Sequence, residues 1–373
     1  MRIVYVTDAF AVLGGMERVL ADKMNYMAEN NDNMVSLITI NQGAHPYSFN
    51  LHQRVCYVDL EIRMHQQYKY HGIKRLIIRK ELDKLLKKRM QVVIDEINPD
   101  VIFCVKFDFV GVLLKVKRNA RLIVESHTLC RAEYFDGSGW LRRMHIHFYK
   151  KNIARADAIV TLTQGDASEW RKITPYVYVI PNVVHLNDIG TYSRCDQKSV
   201  IYVGRFSHQK DINSLLSVWK LVHIKHPDWK LNMYSEGELR NEYINKIESL
   251  DTNIQVFDPT PNMMQNYLNN SILILTSLYE PFGLVLPEAM SCGLPVVSFD
   301  SPYGPEEIIT DGIDGFLIKG RNIEAFADKV CQLIEDDNLR QIIGSAAIQS
   351  AQRFAVDKIM PQWLRLLENT KRV

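Results

Sequence analysis

Residues 272–293 read ILILTSLYEPFGLVLPEAMSCG, and this stretch decides the fold. The apolar run 272–276 predicts a buried parallel strand, and residues 284–291 predict a short helix that a glycine closes. Glu280 therefore falls in the strand-to-helix loop, and Glu288 falls in the early turns of the helix. Open α/β sheets bind ligands beyond the carboxyl ends of their strands, so both carboxylates are expected at a ligand site beside helix amides that suit a phosphate.

The same alternation of strand and helix extends along the chain. Periodicity predicts strands near residues 3–7, 35–40, 101–104, 122–125, 158–162, 200–204, 230–234, 254–257 and 296–299, and helices near 15–29, 73–97, 211–223 and 239–250. This order predicts an α/β fold with parallel sheets built from βαβ units.

A polar stretch at 187–198 separates two such series and marks a domain boundary. We expect an N-terminal domain at 1–182, a C-terminal domain at 183–355 and a C-terminal helix at 356–373. Apolar side chains recur at helical spacing in that last segment, which predicts that it packs back onto the body: Ile359, Trp363, Leu366 and Leu367.

The composition is that of an ordinary globular protein. With 373 residues and 47% hydrophobic content, the chain has the length of about two domains. No apolar run approaches the roughly 18 residues that cross a bilayer, so we expect a soluble, cytoplasmic protein. The six cysteines are scattered without the close pairs of zinc or redox motifs, and we expect reduced, mostly buried thiols.

The net charge of +2 hides an asymmetry between the halves. Residues 1–180 hold 27 Lys and Arg against 19 Asp and Glu, while residues 181–373 hold 18 against 24, so the first half should face something anionic. The segment 63–89 alone carries ten basic residues interrupted by leucine and isoleucine. An anionic membrane surface is the partner we favour, an ordinary solvated helix face is the alternative, and nucleic acid is disfavoured because no binding motif accompanies the charge.

A glycine-containing turn follows the first strand of each half. Gly14 and Gly15 open a helix and let the backbone approach an anion or a sugar oxygen, although such a pair is often only a tight turn. In the second half, Arg205 and Lys210 stand between a strand end and a helix start and can converge on one diphosphate. The alternative there is a solvated loop with Asp211 as the helix cap.

Taken together, these segments strongly resemble the retaining GT-B glycosyltransferases of family 4, the group 1 glycosyltransferases. The resemblance covers nearly the whole chain and rests on Gly14-Gly15-x-Glu17, His127, Gly204-Arg205-x4-Lys210, Glu280-Pro-Phe-Gly283, Glu288-Ala289, Gly304-Pro305-Glu306-Glu307 and Asp314-Gly315-Phe316. It implies two Rossmann-like domains that face each other across a cleft, with the donor mainly on the C-terminal domain and the acceptor on the N-terminal one.

The resemblance also implies a role for each matching residue in the second half. Arg205 and Lys210 would bind the donor diphosphate and stabilise the charge on the leaving group. Glu280 would contact hydroxyls of the donor sugar, and Glu288 would hold the ribose hydroxyls. Backbone amides would bind the phosphates and sugar at Phe282, Gly283, Leu284 and Val285.

In the first half, the resemblance gives His127 a hydrogen bond to an outer hydroxyl of the donor sugar, although lone histidines are more often structural. Gly14 and Gly15 would lie under the donor phosphate or the acceptor, and Glu17 receives no firm role. The expected catalytic set is His127 with Arg205, Lys210 and Glu280.

The implied reaction moves a hexose or N-acetylhexosamine from a UDP- or GDP-sugar to a saccharide, with retention of configuration and without a metal or cofactor. The basic first half favours a lipid-linked acceptor in cell-surface polysaccharide synthesis. A soluble transferase acting on a small sugar or glucan is the alternative, and an inactive GT-B scaffold is a third reading. Ser235 stands where the family often has glycine, which puts local backbone contacts to the nucleotide in doubt. Asp336-Asp337 is expected at a solvated helix end.

Overall fold

The structure is a computed structural model that describes residues 1–12, 14–29, 33–131, 140–187, 189–260 and 262–369, with only the backbone at 140–145 and 369. The chain divides into two compact units, Met1–Ile180 and Pro181–Val373. Each unit has one parallel sheet with helices packed against it.

The first unit begins with a strand and continues in βαβ fashion. Its strands are β1 (Arg2–Thr7), β2 (Met34–Thr39), β3 (Val55–Asp59), β4 (Val101–Cys104), β5 (Arg121–Ser126), β6 (Ala158–Thr161) and β7 (Val177–Val179). Its helices are α1 (Gly15–Glu29), α2 (Gly72–Ile97), α3 (Phe107–Val116), α4 (Trp140–Ile153) and α5 (Gln164–Trp170). Over the described residues, the sheet order is β3-β2-β1-β4-β5-β6-β7, with every pairing parallel.

The second unit has the same plan. Its strands are β8 (Ser199–Val203), β9 (Lys230–Tyr234), β10 (Ile254–Phe257), β11 (Ile272–Leu275), β12 (Val296–Phe299) and β13 (Gly315–Ile318). Its helices are α6 (Ile212–Lys225), α7 (Arg240–Glu248), α8 (Met263–Leu268), α9 (Val285–Ser291), α10 (Gly304–Ile308), α11 (Ile323–Glu335), α12 (Asp337–Ala351) and α13 (Val356–Asn369). Where described, these strands are all parallel, in the order β10-β9-β8-β11-β12-β13.

Strand order reverses once in each sheet, and the reversal locates the site. In the first unit it falls between β1 and β4, and in the second it falls between β8 and β11. At such a switch point the loops that leave neighbouring strands turn to opposite faces of the sheet and open a crevice at the carboxyl ends. The loops after β8 and β11 are those that carry Arg205, Lys210 and Glu280.

The predicted α/β class with parallel sheets is confirmed. The central strands are buried on both faces, so their sequences are continuous apolar runs, as in β4 (VIFC) and β11 (ILIL). The pattern missed β3 and β7, which lie at the sheet edges and are only partly buried. It also missed β13, whose first residues, Gly315 and Phe316, were assigned only to a motif.

The C-terminal helix buries the apolar side chains that the spacing singled out, and the expected packing is confirmed. Ile359, Trp363, Leu366 and Leu367 are all buried in α13. Asp336 is the C-cap residue of α11 and caps the start of α12 by accepting a bond from the Leu339 amide, so the expected helix end lies at the junction of two helices.

The cysteines are free thiols, and only Cys56 is exposed. Among the described residues, no helix combines the length and the apolar content that crossing a bilayer requires.

Candidate active site

The switch point of the second unit brings together the two segments that carry the sequence motifs. Lys210 follows β8 and precedes α6, and Glu280 follows β11. Although these residues are 70 positions apart, the Lys210 Nζ lies 2.5 Å from the Glu280 Oε2. The structure therefore joins the residue predicted to bind the diphosphate and the residue predicted to bind the sugar in one ion pair.

The Glu280 carboxylate is buried and held from one side. Its Oε2 also accepts a hydrogen bond of 3.0 Å from the Ser277 hydroxyl. The hydrogen bonds that Lys210 and Ser277 donate to this carboxylate thus both end on Oε2. Oε1 therefore retains its capacity to accept a hydrogen bond from a ligand.

A second ion pair fixes the backbone at Lys210. Asp211 caps α6 by accepting bonds from the amide and hydroxyl of Ser214, at 3.3 and 2.6 Å. Arg321 binds the Asp211 carboxylate and donates to the carbonyls of Thr276 and Ser277, both at 2.9 Å. These contacts tie the end of the β8 loop to the end of β11.

Arg321 was missed by the sequence reading. It lies just beyond β13, in a short 3₁₀ turn with a left-handed backbone, and no local pattern connects it to the β8 loop. Asp211 was read only as a helix cap in the alternative interpretation, and it serves as both cap and ion-pair partner.

Backbone hydrogen bonds join the turn at Glu280 to the segment at the start of α10. The Glu280 amide donates to the Pro302 carbonyl, and the Gly304 amide donates to the Glu280 carbonyl, both at 2.8 Å. A Cβ atom on Gly304 would collide with the carbonyl of Phe282. Gly283 has φ +90°, a conformation that favours glycine. The close approach of two backbone segments thus explains Gly304, and the left-handed backbone explains Gly283.

The remaining donor-site candidates lie along the start of α9. Leu284 is the N-cap residue and Val285 is the first helical residue. The Phe282 side chain is buried and packs edge-on against Phe354, with ring centroids 5.3 Å apart. Position 282 can therefore offer a ligand only its backbone.

Glu288 is buried in α9, the helix that directly follows the turn. Its Oε2 accepts a hydrogen bond of 3.0 Å from the hydroxyl of Tyr267, a fully buried residue of α8. The tyrosine holds the carboxylate in one orientation, and the sequence alone did not reveal this partner.

Arg205 is not drawn into the Lys210–Glu280 pair. Its side chain is 71% exposed, and its guanidinium lies 3.9 Å from the exposed carboxylate of Glu238. Such a long, exposed contact contributes little to stability. Arg205 is therefore able to turn toward an anion at the end of β8.

Two further residues that the sequence analysis singled out have fully buried side chains. The Ser235 side chain is fully buried, and the described residues include no hydrogen-bond partner for its hydroxyl, so this serine does not present its side chain to a ligand. Asp314 is fully buried and accepts bonds from the Thr310 amide and the Ser350 hydroxyl, at 2.7 and 2.6 Å. It fastens the turn before β13 to α12.

The first unit contains its own buried charged group, centred on Glu125 at the end of β5. The Glu125 Oε2 lies 2.6 Å from the Nζ of Lys23 on α1 and 3.2 Å from the Nε2 of His127. Lys23 passes over the rings of Tyr5 and Phe103, with its Nζ 5.6 and 5.5 Å from their centroids. An element 102 residues away thus supplies the counter-charge beside His127.

The charges in this group are fixed by mutual attraction. Burial by itself would raise the pKa of Glu125, but attraction by Lys23 and the hydrogen bond from His127 outweigh it and keep the pKa below its usual value. Burial lowers the pKa of Lys23, against the opposing pull of Glu125. Glu125 is therefore an anion, and the His127 Nε2 donates a hydrogen bond to it.

Gly14 and Gly15 stand at the start of α1, as predicted, but the place above Gly14 is filled. A Cβ atom on Gly14 would collide with the carboxylate of Glu17, which is buried in the first turn of α1.

Comparison with known families agrees with this geometry. The model of the family "Glycosyl transferases group 1" matches residues 192–350, and the model of "Glycosyltransferase Family 4" matches residues 13–188. Together these matches span most of both units.

Similar proteins and structures extend over nearly the full length. The chain is 26% identical to the amylovoran biosynthesis glycosyltransferase AmsD of Erwinia amylovora, over 98% of this chain and 99% of that protein. It is 24% identical to the GalNAc-α-(1→4)-GalNAc-α-(1→3)-diNAcBac-PP-undecaprenol α-1,4-N-acetyl-D-galactosaminyltransferase of Campylobacter jejuni, over 96% of each.

Among solved structures, TarM of Staphylococcus aureus in a complex with UDP superposes with a TM-score of 0.79 at 17% identity, over 98% of this chain and 99% of that chain. HepE of Anabaena in a complex with UDP and glucose gives 0.75 at 18% identity, with the same coverage. These likenesses establish the GT-B fold. Because the two family models together match most of both units, the chain belongs to the group 1 glycosyltransferases.

Proposed function

We propose that this glycosyltransferase moves a hexose or N-acetylhexosamine from a UDP- or GDP-sugar to a hydroxyl of a lipid-linked saccharide, in the synthesis of a cell-surface polysaccharide or glycan. The observation that carries the proposal is the Lys210–Glu280 pair at the switch point of the second sheet, with Glu288 on the helix that follows. The cation for the diphosphate lies on the loop after β8, and the two carboxylates for hydroxyl groups lie on the loop after β11 and on the helix α9 that follows it. This set suits a nucleotide-sugar.

In the proposed donor complex, Lys210 and Arg205 neutralise the diphosphate. The ammonium of Lys210 has three N–H donors, one of which is used on Glu280, so two remain for phosphate oxygens. The exposed Arg205 adds a bidentate contact. These cations would stabilise the charge that develops on the leaving group, a role for which the proposal requires no metal ion.

The carboxylates divide the two halves of the donor between them. Glu280 would accept hydrogen bonds from donor-sugar hydroxyls through Oε1, and Glu288 would accept them from the ribose. The amides at Phe282, Gly283, Leu284 and Val285 would bind the phosphates and sugar. In this proposal the two carboxylates bind different parts of the donor and do not act as the acid and base pair of a hydrolase.

The proposed chemistry retains the anomeric configuration on one face of the sugar. The bond from the anomeric carbon to the phosphate oxygen breaks, and the bond to the acceptor oxygen forms on the same side. The proton of the acceptor hydroxyl passes to the departing phosphate oxygen. This route requires no protein nucleophile.

His127 is proposed to bind an outer hydroxyl of the donor sugar through Nδ1. Because Nε2 donates to the Glu125 anion, the neutral ring presents Nδ1 as an acceptor. Glu125 and Lys23 would therefore act as positioning residues that hold the ring and its tautomer.

Two relatives support the class of acceptor. The name of the Campylobacter jejuni relative gives a saccharide linked through PP to undecaprenol, and that of the Erwinia amylovora relative gives amylovoran biosynthesis. A lipid-linked acceptor would bring the protein to the inner face of a membrane. A water-soluble sugar or glucan as acceptor is the competing case.

The proposed donor class is tested by binding and hydrolysis across a panel of UDP- and GDP-sugars, with membrane extract and soluble saccharides as acceptor sources. We expect one nucleotide-sugar to be turned over, with transfer to the lipid fraction and with the α or β configuration of the donor kept in the product. Transfer to soluble saccharides alone would remove the lipid-linked acceptor. Binding of every donor without turnover would indicate an inactive scaffold.

Glu288→Ala should weaken the binding of free UDP and GDP by about tenfold or more, because a charged hydrogen-bond partner of the ribose is lost. Calorimetric titration measures the change. Glu324→Ala, at an exposed position of α11, is the matched control. Equal affinity of Glu288→Ala and the parent protein for both nucleotides would refute the ribose role.

Lys210→Ala should reduce kcat by more than tenfold, a loss of at least about 1.4 kcal/mol of transition-state stabilisation, because the leaving group loses its buried cation. Lys220→Ala on the exposed face of α6 is the control for charge. Thermal unfolding of both variants shows whether the second unit remains folded with Glu280 unpaired. Near-normal turnover in a folded Lys210→Ala protein would remove Lys210 from the mechanism.

Glu125→Gln should lower kcat/KM by about tenfold if Glu125 acts through His127, which corresponds to about 1.4 kcal/mol. The same change in a His127→Ala background should then have almost no further effect. Combining Lys23→Met with Glu125→Gln removes the uncompensated ammonium and controls for stability. Losses that multiply in the two backgrounds would show that Glu125 does not act through the histidine.

A further inference from the structure

The first turns of α2 carry large apolar side chains that point outward. Ile73, Leu76 and Ile77 are 77%, 64% and 52% exposed, and Tyr68, in the 3₁₀ turn that precedes the helix, is 63% exposed. Single exposed apolar residues are common on protein surfaces, but a cluster of this size indicates an interaction surface.

These side chains do not belong to the stripe that packs α2 on its own unit. That stripe consists of Leu82, Leu86, Met90 and Ile94, all buried in the core of the first unit. At 3.6 residues per turn, Ile77 falls on roughly the opposite side of the helix from this stripe, whereas Leu76 lies five full turns before Ile94 and shares its side. The helix thus packs against the core along its later turns and leaves the apolar side chains of its first turns exposed to solvent.

The charge around these exposed apolar side chains is mainly positive. Residues 62–80 contain six Lys and Arg and no Asp or Glu, and the exposed Glu81 and Asp83 follow in the next turn, where Asp83 pairs with Arg79. Lys74 and Arg75 each lie over a tyrosine ring, those of Tyr70 and Tyr68, with the charged group 4.7 Å from the ring centroid in both cases. Exposed aliphatic, aromatic and basic side chains are thus interleaved.

This combination matches an anionic bilayer surface. Basic side chains are attracted to acidic headgroups, aliphatic side chains enter the boundary between headgroup and acyl chain, and tyrosine prefers that same boundary. A protein partner would require complementary acidic groups, which a lipid surface supplies without a specific shape.

We infer that Tyr68, Ile73, Leu76 and Ile77, with the surrounding Lys69, Lys74, Arg75 and Lys80, form a patch that docks the first unit on anionic lipid. We name this set the α2 patch. It deepens the proposed function and rests on it for its purpose, since a lipid-linked acceptor lies at the bilayer surface. The docking itself does not require catalysis.

The structure also narrows the segment that the sequence indicated. Of the leucines in 63–89, Leu82 and Leu86 are buried in the core and Leu85 is half-buried, so none of the three is available to a bilayer. The docking surface is therefore confined to the first turns of α2 and the turn that precedes it.

Co-sedimentation of the full chain with vesicles tests the inference. The vesicles are phosphatidylcholine with and without phosphatidylglycerol, at low and at physiological salt. We expect binding to the phosphatidylglycerol vesicles, weaker binding at higher salt, and little binding to phosphatidylcholine alone. Absence of binding to phosphatidylglycerol vesicles at low salt would overturn the inference.

Two sets of variants assign the binding to the patch. Replacing Ile73, Leu76 and Ile77 together by Ser should weaken vesicle binding by about tenfold or more. Ile224→Ser with Ile342→Ser removes side chains that are 70% and 66% exposed on the second unit, and it should leave binding unchanged. An equal loss in both sets would show that the apolar side of the α2 patch is not the docking surface.

Donor hydrolysis in solution and light scattering complete the design. Hydrolysis by the triple Ser variant should equal that of the parent, so a failure of the proposed function and a failure of docking are seen separately. If the variant instead lowers the oligomeric state of a protein that does not bind vesicles, the surface joins two copies of the chain and the membrane inference is wrong.

Discussion

The candidate site depends on one largely buried ion pair, Lys210 with Glu280. Each partner stands where a strand of the second sheet ends, and the reversal of strand order makes those two ends neighbours. An unpaired ion at such a depth would cost several kcal/mol, so each residue makes the burial of the other tolerable. The pair therefore links the topology of the sheet to the chemistry of its edge, because a different strand order would leave both charges stranded.

The first unit solves a similar problem with the same residue types. Lys23 from α1 neutralises Glu125 at the end of β5, and the same carboxylate oxygen meets His127. Replacing such a pair by apolar residues is often neutral or stabilising, so stability does not account for its presence. What a buried pair adds is orientation. Here it holds an imidazole, and in the second unit it holds an ammonium group and a carboxylate.

The sequence predicted what is local and periodic. The central strands, the glycine turn at Gly283 and the positions of Lys210, Glu280 and Glu288 relative to their strands followed from alternation and spacing, whereas β3, β7 and β13 did not. The partners of these residues did not follow, because the contacts of Arg321 with Asp211 and of Tyr267 with Glu288 join segments far apart in the chain. Lys23 shows the limit well, since a lysine in a helix is ordinarily a surface residue and this one is buried.

The same limit applies to α2, because the sequence alone does not show which part of this helix packs on the body of the protein. Its charge and its leucines are spread along the helix, and a sequence pattern cannot show at which turn the helix leaves the core. The structure places that point before Leu82, so the same residue types serve packing on one side of it and solvent on the other. The exposed side chain of Ile73 contributes little hydrophobic free energy to folding, whereas the buried side chain of Leu86 contributes nearly all that its apolar area allows. The physical difference between the two ends of α2 therefore lies in what each end is packed against, and only the packed end is explained by the fold of this chain.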